Sequence, residues 1–414
     1  MVVNDVYKVK IEKLDHKGRG ITHIDGKIVF VTNALPDEEV DIRITAVKKK
    51  LSDAVIVKHY KEAKSRVGSV CTYYKECGGC DLLHMKHKSQ IKFKELKVKE
   101  IMEKFAGVKN TKIKPILFSD NVTYYRNKIT LKINDGKIGF YQKKSNRIAQ
   151  VEACKNANPK INDILYDIKN YMFLDGIEEI IIRVTESLNQ SMVVIIASEP
   201  VDDKRIRFLL EEKVDTIVVK ENDKSYLILG KGYITEQIGD YKYKISPDSF
   251  FQVNSGGAKI IFDKVLEYAD LTGKESVLDL FCGTGVIGIY LSKCAKEIIG
   301  IEINRSAVAD AMYNQKINDI KNAYFVCKNV TKVNEREQSD IVVVDPPRAG
   351  LEKRTIDFLI KSTPKKIIYV SCDPVTLARD LKLLEENYML KEITPIDMFP
   401  GTSHVECVSL LCLK

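Results

Sequence analysis

No stretch of this 414-residue chain approaches the roughly 18 consecutive apolar residues a spanning helix needs, so no membrane span is expected. Met1 to Lys8 meets charge before any apolar run forms. A secretory leader is therefore not expected, and the reading points to the cytoplasm. Internal repeats and low-complexity tracts are also missing. A full G-x-G-x-x-G dinucleotide fingerprint is absent too, which leaves nicotinamide chemistry a minor alternative.

What is present is ordinary globular material, with 44% hydrophobic and 30% charged residues. At roughly 100 to 200 residues per domain, the length predicts about two to four domains. Sixty-six Lys and Arg against 57 Asp and Glu leave a formal charge of +9, which favours a polyanion if it is gathered on one face. Ten cysteines in a cytosolic chain of this size argue against a disulfide framework and for metal binding or catalysis by some of them. Cys294, Cys327, Cys407 and Cys412, in apolar surroundings, read as small buried hydrophobes.

Residues 1 to 58 alternate apolar and polar, with Tyr7, Val9 and Ile11 against Lys8, Lys10 and Glu12, and Val40, Ile42 and Ile44 against Asp41, Arg43 and Thr45. Period two predicts strands. Turn signals at Gly18, Gly20, Asp25-Gly26 and Pro36-Asp37 make a small OB-like barrel the expected fold. From Leu83 to Phe105 the period becomes helical, with Ile91, Val98, Met102 and Phe105 on one stripe and lysines mostly elsewhere. Beside such a barrel, those lysines read equally as a solvated face or as an RNA-binding one.

Residues 120 to 240 predict a mixed α/β segment with a turn at Asn134-Asp135-Gly136. Beyond residue 246 strands and helices alternate, with strands at Val277 to Phe281, Ile298 to Ile301, Tyr324 to Val326, Ile341 to Val344 and Ile367 to Val370. That rhythm predicts a parallel, doubly wound sheet with ligands at the carboxyl ends of its strands.

The chemistry gathers at those ends. Gly283 and Gly285 follow the first strand and bring backbone amides close to a ligand, and Glu302 ends the next strand, where a carboxylate holds ribose hydroxyls. Asp345 stands ahead of Pro346 and Pro347, which stiffen its loop. Cys372 follows a buried strand and precedes a helix start whose amides favour a thiolate, and Glu406 is the candidate base. Cys71, Cys77 and Cys80 form C-x5-C-x2-C around Gly78-Gly79, with Cys154 the nearest further cysteine. Zinc and an iron–sulfur cluster both remain open, and one compact triplet with a remote fourth thiol favours the cluster.

With these motifs, the chain resembles the RNA uracil-5-methyltransferase family over nearly its whole length, and specifically the iron–sulfur branch acting on 23S rRNA. The resemblance implies an N-terminal OB-like TRAM barrel at 1–58 that binds RNA and a central α/β domain at 59–245 with a [4Fe-4S] cluster on Cys71, Cys77, Cys80 and Cys154. A C-terminal α/β class I, Rossmann-like methyltransferase domain at 246–414 completes the expected fold, with the helix near 84–106 packing on it.

It further implies S-adenosylmethionine held by Gln252, Phe281, Glu302, Asn329 and Asp345, Cys372 as the nucleophile at uracil C6, and Glu406 as the base at C5. Tyr124-Tyr125-Arg126-Asn127-Lys128 resembles the family's substrate-facing strand, suited to unpaired RNA and a flipped-out uridine. The expected product is 5-methyluridine in 23S rRNA, made by a monomer. The T-loop uridine of tRNA, with the same chemistry, and an RNA-binding ribosome-assembly factor are the alternatives. A radical S-adenosylmethionine enzyme usually needs C-x3-C-x2-C, which this chain lacks.

Overall fold

Alternating side chains close the N-terminal strands around one apolar centre. In the computed structural model, which describes residues 1–109, 112–222, 224–334 and 337–414, the chain divides into two compact units. The first holds Met1–Lys97, Tyr141–Arg147 and Phe399–Ser403, and the second holds Val98–Phe140, Ile148–Met398 and His404–Lys414.

In the first unit, six strands pair in the order Val6–Lys10, Glu39–Val47, Leu51–Lys61, Lys27–Thr32, Gly20–Ile24 and Lys13–Leu14. Ile11 N donates to Glu38 O and Glu12 N to Ile21 O, so the segment between the outer strands ties both ends of the sheet together. Ile11, Val29, Val31, Val40, Ile42 and Ile44 fill the centre. Glu38, fully buried, accepts from the Leu35 and Ala63 amides and from the Arg66 guanidinium. Burial would raise this carboxyl, but Arg66 and the amides outweigh it and hold it below the usual range.

The lysine-rich helix runs from His87 to Ala106. Its buried stripe includes Gln90, Lys94, Val98, Ile101 and Met102, whereas Phe105, expected on that stripe, is exposed. Lys94 is buried because its Nζ donates to Phe399 O at 3.0 Å. Lys97 Nζ donates to Ser403 O at 2.8 Å, and Gln90 Oε1 accepts from Gly401 N, so the first half of this helix holds the 399–403 loop. Two lysines that read as surface charge or RNA contacts therefore serve loop carbonyls.

The second unit has two large sheets. A seven-stranded sheet runs Ile148–Ala149, Lys137–Tyr141, Lys128–Asn134, Ile177–Val184, Ser191–Ala197, Thr216–Glu221 and Lys224–Leu229. The 134–136 turn lies where expected, with Asp135 and Gly136 both at positive φ. The eight-stranded sheet runs Ala323–Cys327, Glu297–Glu302, Ser276–Leu280, Ile341–Val344, Lys366–Ser371, Glu406–Leu413, Tyr388–Asp397 and Leu117–Phe118. The first five are mutually parallel, and Glu406–Leu413 is antiparallel to both neighbours. Each strand predicted beyond residue 246 is present, and among the described residues no helix is long and apolar enough to cross a membrane.

Candidate active site

Parallel strands end together, and register brings the site residues to one edge. Leu280 pairs with Ile301 and with Val344, so Phe281, Glu302 and Asp345 each stand one step beyond a paired position. Phe281 takes φ 64°, a left-handed value uncommon for a side chain this large, and the turn continues through Gly283 at 53° and Gly285 at 77°. A Cβ on Gly285 would lie 2.7 Å from the Phe325 ring, so glycine is required there twice over.

The turn opens onto a cleft lined by Phe250, Phe251, Gln252, Phe262, Phe281, Cys282, Gly283, Thr284, Val286, Ile287 and Asp345. Of the expected donor contacts, Gln252, Phe281 and Asp345 line it. Glu302 accepts from Gly283 N at 3.2 Å and Asn304 N at 2.8 Å, which places its carboxylate against the turn. Asn329 is not among the lining residues, and its Oδ1 caps the short helix Val330–Lys332 through Thr331 N. Thr284, absent from the expected set, lines the cleft with a buried hydroxyl that has no hydrogen-bond partner among the described residues. An open glycine turn, a strand-end carboxylate and an unpaired hydroxyl fit a ribose-bearing methyl donor.

Gln252 is anchored from the 124–128 segment. Asn127, buried, donates through Nδ2 to Gln252 O at 3.0 Å and to Ser255 Oγ at 3.2 Å, and its amide donates to Val253 O. Asn254 Nδ2 donates to Met398 O, pinning the other side of the loop.

The thiol and the base meet through the antiparallel strand. Ser371 pairs with Cys407, so one step further Cys372 stands opposite Glu406. Only a reversed strand presents its first residue at the edge where parallel strands end. Burial raises Glu406 to about 8, aided by the Asp345 charge and opposed by Arg348. Burial alone raises Asp345 to about 7.

Cys372 is pushed up to about 11, first by burial and then by Glu406 and Asp345, with Arg348 opposing. The helix start was expected to give this cysteine thiolate character, and a backbone hydrogen bond at Cys372 does act in that direction but is outweighed by burial. Asp373 caps helix Pro374–Leu384 by accepting from Val375 N at 2.8 Å, so a carboxylate occupies the positive end of the helix. Proton removal from the thiol therefore needs an acceptor, and the paired carboxyl, tuned near neutrality, is placed to be one. Arg348, the cation that favours both charged forms, had no expected role.

Cys71, Cys77 and Cys80 belong to the first unit and Cys154 to the second, all partly buried. Gly79 N donates to Cys77 Sγ at 3.4 Å. Among the described residues, no group of three or more His, Cys, Asp or Glu side chains is arranged to hold a metal ion.

The strand-end cleft on a largely parallel sheet is the arrangement of a class I methyltransferase fold, here in one chain with a small six-stranded β-domain. Residues 86–414 match the tRNA (uracil-5-)-methyltransferase family and residues 2–57 the TRAM domain, and the chain belongs to that family. It is 36% identical over 448 residues to an uncharacterized RNA methyltransferase of Oceanobacillus iheyensis, covering 99% of this chain and 97% of the relative. An uncharacterized RNA methyltransferase of Clostridium tetani is 35% identical over 452 residues, covering 99% and 96%. Among solved structures, the Pyrococcus abyssi tRNA (uracil-54, C5)-methyltransferase in complex with S-adenosyl-L-homocysteine superposes with a TM-score of 0.82 at 29% identity, covering 98% of this chain and 99% of that one.

Proposed function

We propose that this protein methylates C5 of a uridine in 23S rRNA through a covalent adduct between Cys372 and uracil C6. The observation that carries the reading is the opposition of Cys372 and Glu406 at the strand edge beside the Asp345 cleft. S-adenosylmethionine, when bound, supplies an electrophilic methyl group. Gln252, Phe281, Glu302 and Asp345 are the residues proposed to hold it, with Asn329 in a lesser place.

The Cys372 thiol gives up its proton to the Glu406 carboxylate, which passes it on to solvent; the sulfur bonds to C6, and the ring electrons move to the C4 oxygen, making C5 a nucleophile. C5 takes the methyl group, leaving S-adenosylhomocysteine as the product, and Glu406, again a carboxylate, then removes the C5 hydrogen. The carbon–sulfur bond breaks, the C5–C6 double bond returns, and the thiolate is regenerated. The target uridine must leave its stack for Cys372 to reach C6, at a cost of a few kcal/mol.

The rRNA target rests on the cysteine spacing and the whole-chain resemblance. The same chemistry on a tRNA T-loop uridine is a second reading, favoured by the Pyrococcus abyssi relative, whose own substrate position is tRNA uracil 54. A [4Fe-4S] cluster on Cys71, Cys77, Cys80 and Cys154 stays part of the proposal on spacing alone. Iron and acid-labile sulfide assays on anaerobically purified protein test it, and a protein with neither removes it.

Transfer of labelled methyl to unmodified 23S rRNA and, separately, to tRNA tests the function, with wild type and Cys372→Ala side by side. Label recovered as 5-methyluridine in rRNA and lost in the variant is the expected result. Label in tRNA alone moves the substrate and keeps the chemistry, and label in neither refutes the enzyme reading.

A further inference from the structure

Two strands of the seven-stranded sheet set out their charges in a revealing order. Lys132 stands directly opposite Glu179 and pairs with it, four residues from a position where Lys128 stands directly opposite Arg183. Residues opposite each other, and residues four apart on a strand, share one face, so all four side chains lie on the same side of the sheet. One charged facing pair is neutral overall, and the other, beyond Thr130 opposite Ile181, is two cations. Lys220, two strands along from Ile177–Val184, is matched by Asp248. Among the described residues, no carboxylate pairs with Lys128 or Arg183.

Like charges set opposite each other cost stability, and the cost grows when they are buried. Arg183 is 3% exposed, yet among the described residues its guanidinium makes one hydrogen bond, from Nη1 to Ser249 O at 3.4 Å, out of five available donors. Arg126 adds a third cation, its Nε donating to Lys128 O at 2.9 Å. Burial, followed by the charges of Arg183, Arg126 and Lys220, lowers Lys128 to about 8. Such a pair persists where an anion completes it.

The place of the pair identifies the anion. Arg183 holds Ser249, the residue before Phe250-Phe251-Gln252 of the cleft wall, and the residue before Lys128 is Asn127, which anchors Gln252. We infer that Lys128 and Arg183 together bind one backbone phosphate of the substrate RNA beside the target uridine, so that the same strand pair fixes the cleft wall and the nucleotide entering it. The inference rests on the RNA-methylating reading above, and guanidinium with ammonium is a donor set suited to phosphate.

The test is binding of oligouridylate across a salt series by the full chain, as wild type, Lys128→Gln, Arg183→Gln and Arg183→Lys, with S-adenosylhomocysteine affinity measured on each. The slope of log affinity on log salt is expected to shrink by about 0.7 in Lys128→Gln, the value of one single-strand phosphate contact. Arg183→Gln is expected to weaken binding about tenfold and Arg183→Lys to restore part of it, with S-adenosylhomocysteine affinity unchanged in Lys128→Gln. Lys128 is only partly buried, so its variant keeps the test decisive if Arg183→Gln fails to fold.

An unchanged slope in Lys128→Gln, or no oligouridylate binding by wild type at low salt, overturns the inference. An equal loss of S-adenosylhomocysteine affinity in Lys128→Gln also overturns it, by placing that lysine at the donor. A shifted slope with no methyl transfer to any RNA refutes the methylation reading and leaves the phosphate site standing.

Discussion

Glu406 is a carboxyl that burial keeps protonated to about pH 8, and this one property governs both reactivity and stability. The folded state binds its proton more tightly than the unfolded chain does. Its contribution to stability is therefore full below the ordinary carboxylate range and is lost as pH rises through about 8. Glu406→Gln removes that loss, so the variant is expected to melt above wild type at pH about 9 and to converge with it near pH 5, read by thermal denaturation. A variant with the same offset at both pH values would contradict the raised value.

At Cys372, Arg348 is the cation favouring the thiolate. Arg348→Gln is expected to slow iodoacetamide alkylation of Cys372 several-fold at fixed pH, and an unchanged rate would remove Arg348 from the site. The strand-end place of Cys372 was legible, because an apolar run precedes it and a proline-started helix follows. Its poise was not, since that depends on burial and on Glu406 and Asp345, which only the folded sheet brings near.

Elements explain which motifs could be read and which misled. Asn134-Asp135-Gly136 predicts a tight hairpin turn because its residues tolerate positive φ, and that is what forms. The five parallel strands were legible from apolar runs alone. The reversed strand Glu406–Leu413 was not, because its direction depends on which neighbours it joins. In helix His87–Ala106, Lys94 joins the buried stripe and Phe105 does not, and the first was missed because a lysine with a carbonyl partner can be buried while periodicity counts it as polar.

Gly285→Ala forces a side chain into a left-handed position against Phe325, and is expected to cost more than about 1 kcal/mol in chemical denaturation. A neutral result would mean the turn is looser than its contacts. Glu38→Gln leaves Arg66 without its buried partner and is expected to cost about 3–5 kcal/mol by the same measurement.

On the scale of the whole molecule, the family is secure along nearly the full chain, and what the cysteines do is the part that spacing could not decide. C-x5-C-x2-C states that three thiols share a loop, and says nothing of whether their sulfurs and Cys154 converge. Substrate choice is equally invisible in strand periodicity, since rRNA and tRNA present the same uracil to the same thiol. The chemistry is the common ground, and it is the claim to test first.

The direct test is to incubate Glu406→Gln with methyl donor and unmodified 23S rRNA or tRNA and to look for a protein–RNA adduct stable to denaturation. Without its base the methylated ring keeps its C5 hydrogen and holds Cys372, so the adduct is expected to accumulate in Glu406→Gln and to vanish when Cys372→Ala is added. No adduct with either RNA, or an adduct that survives loss of Cys372, would contradict the mechanism.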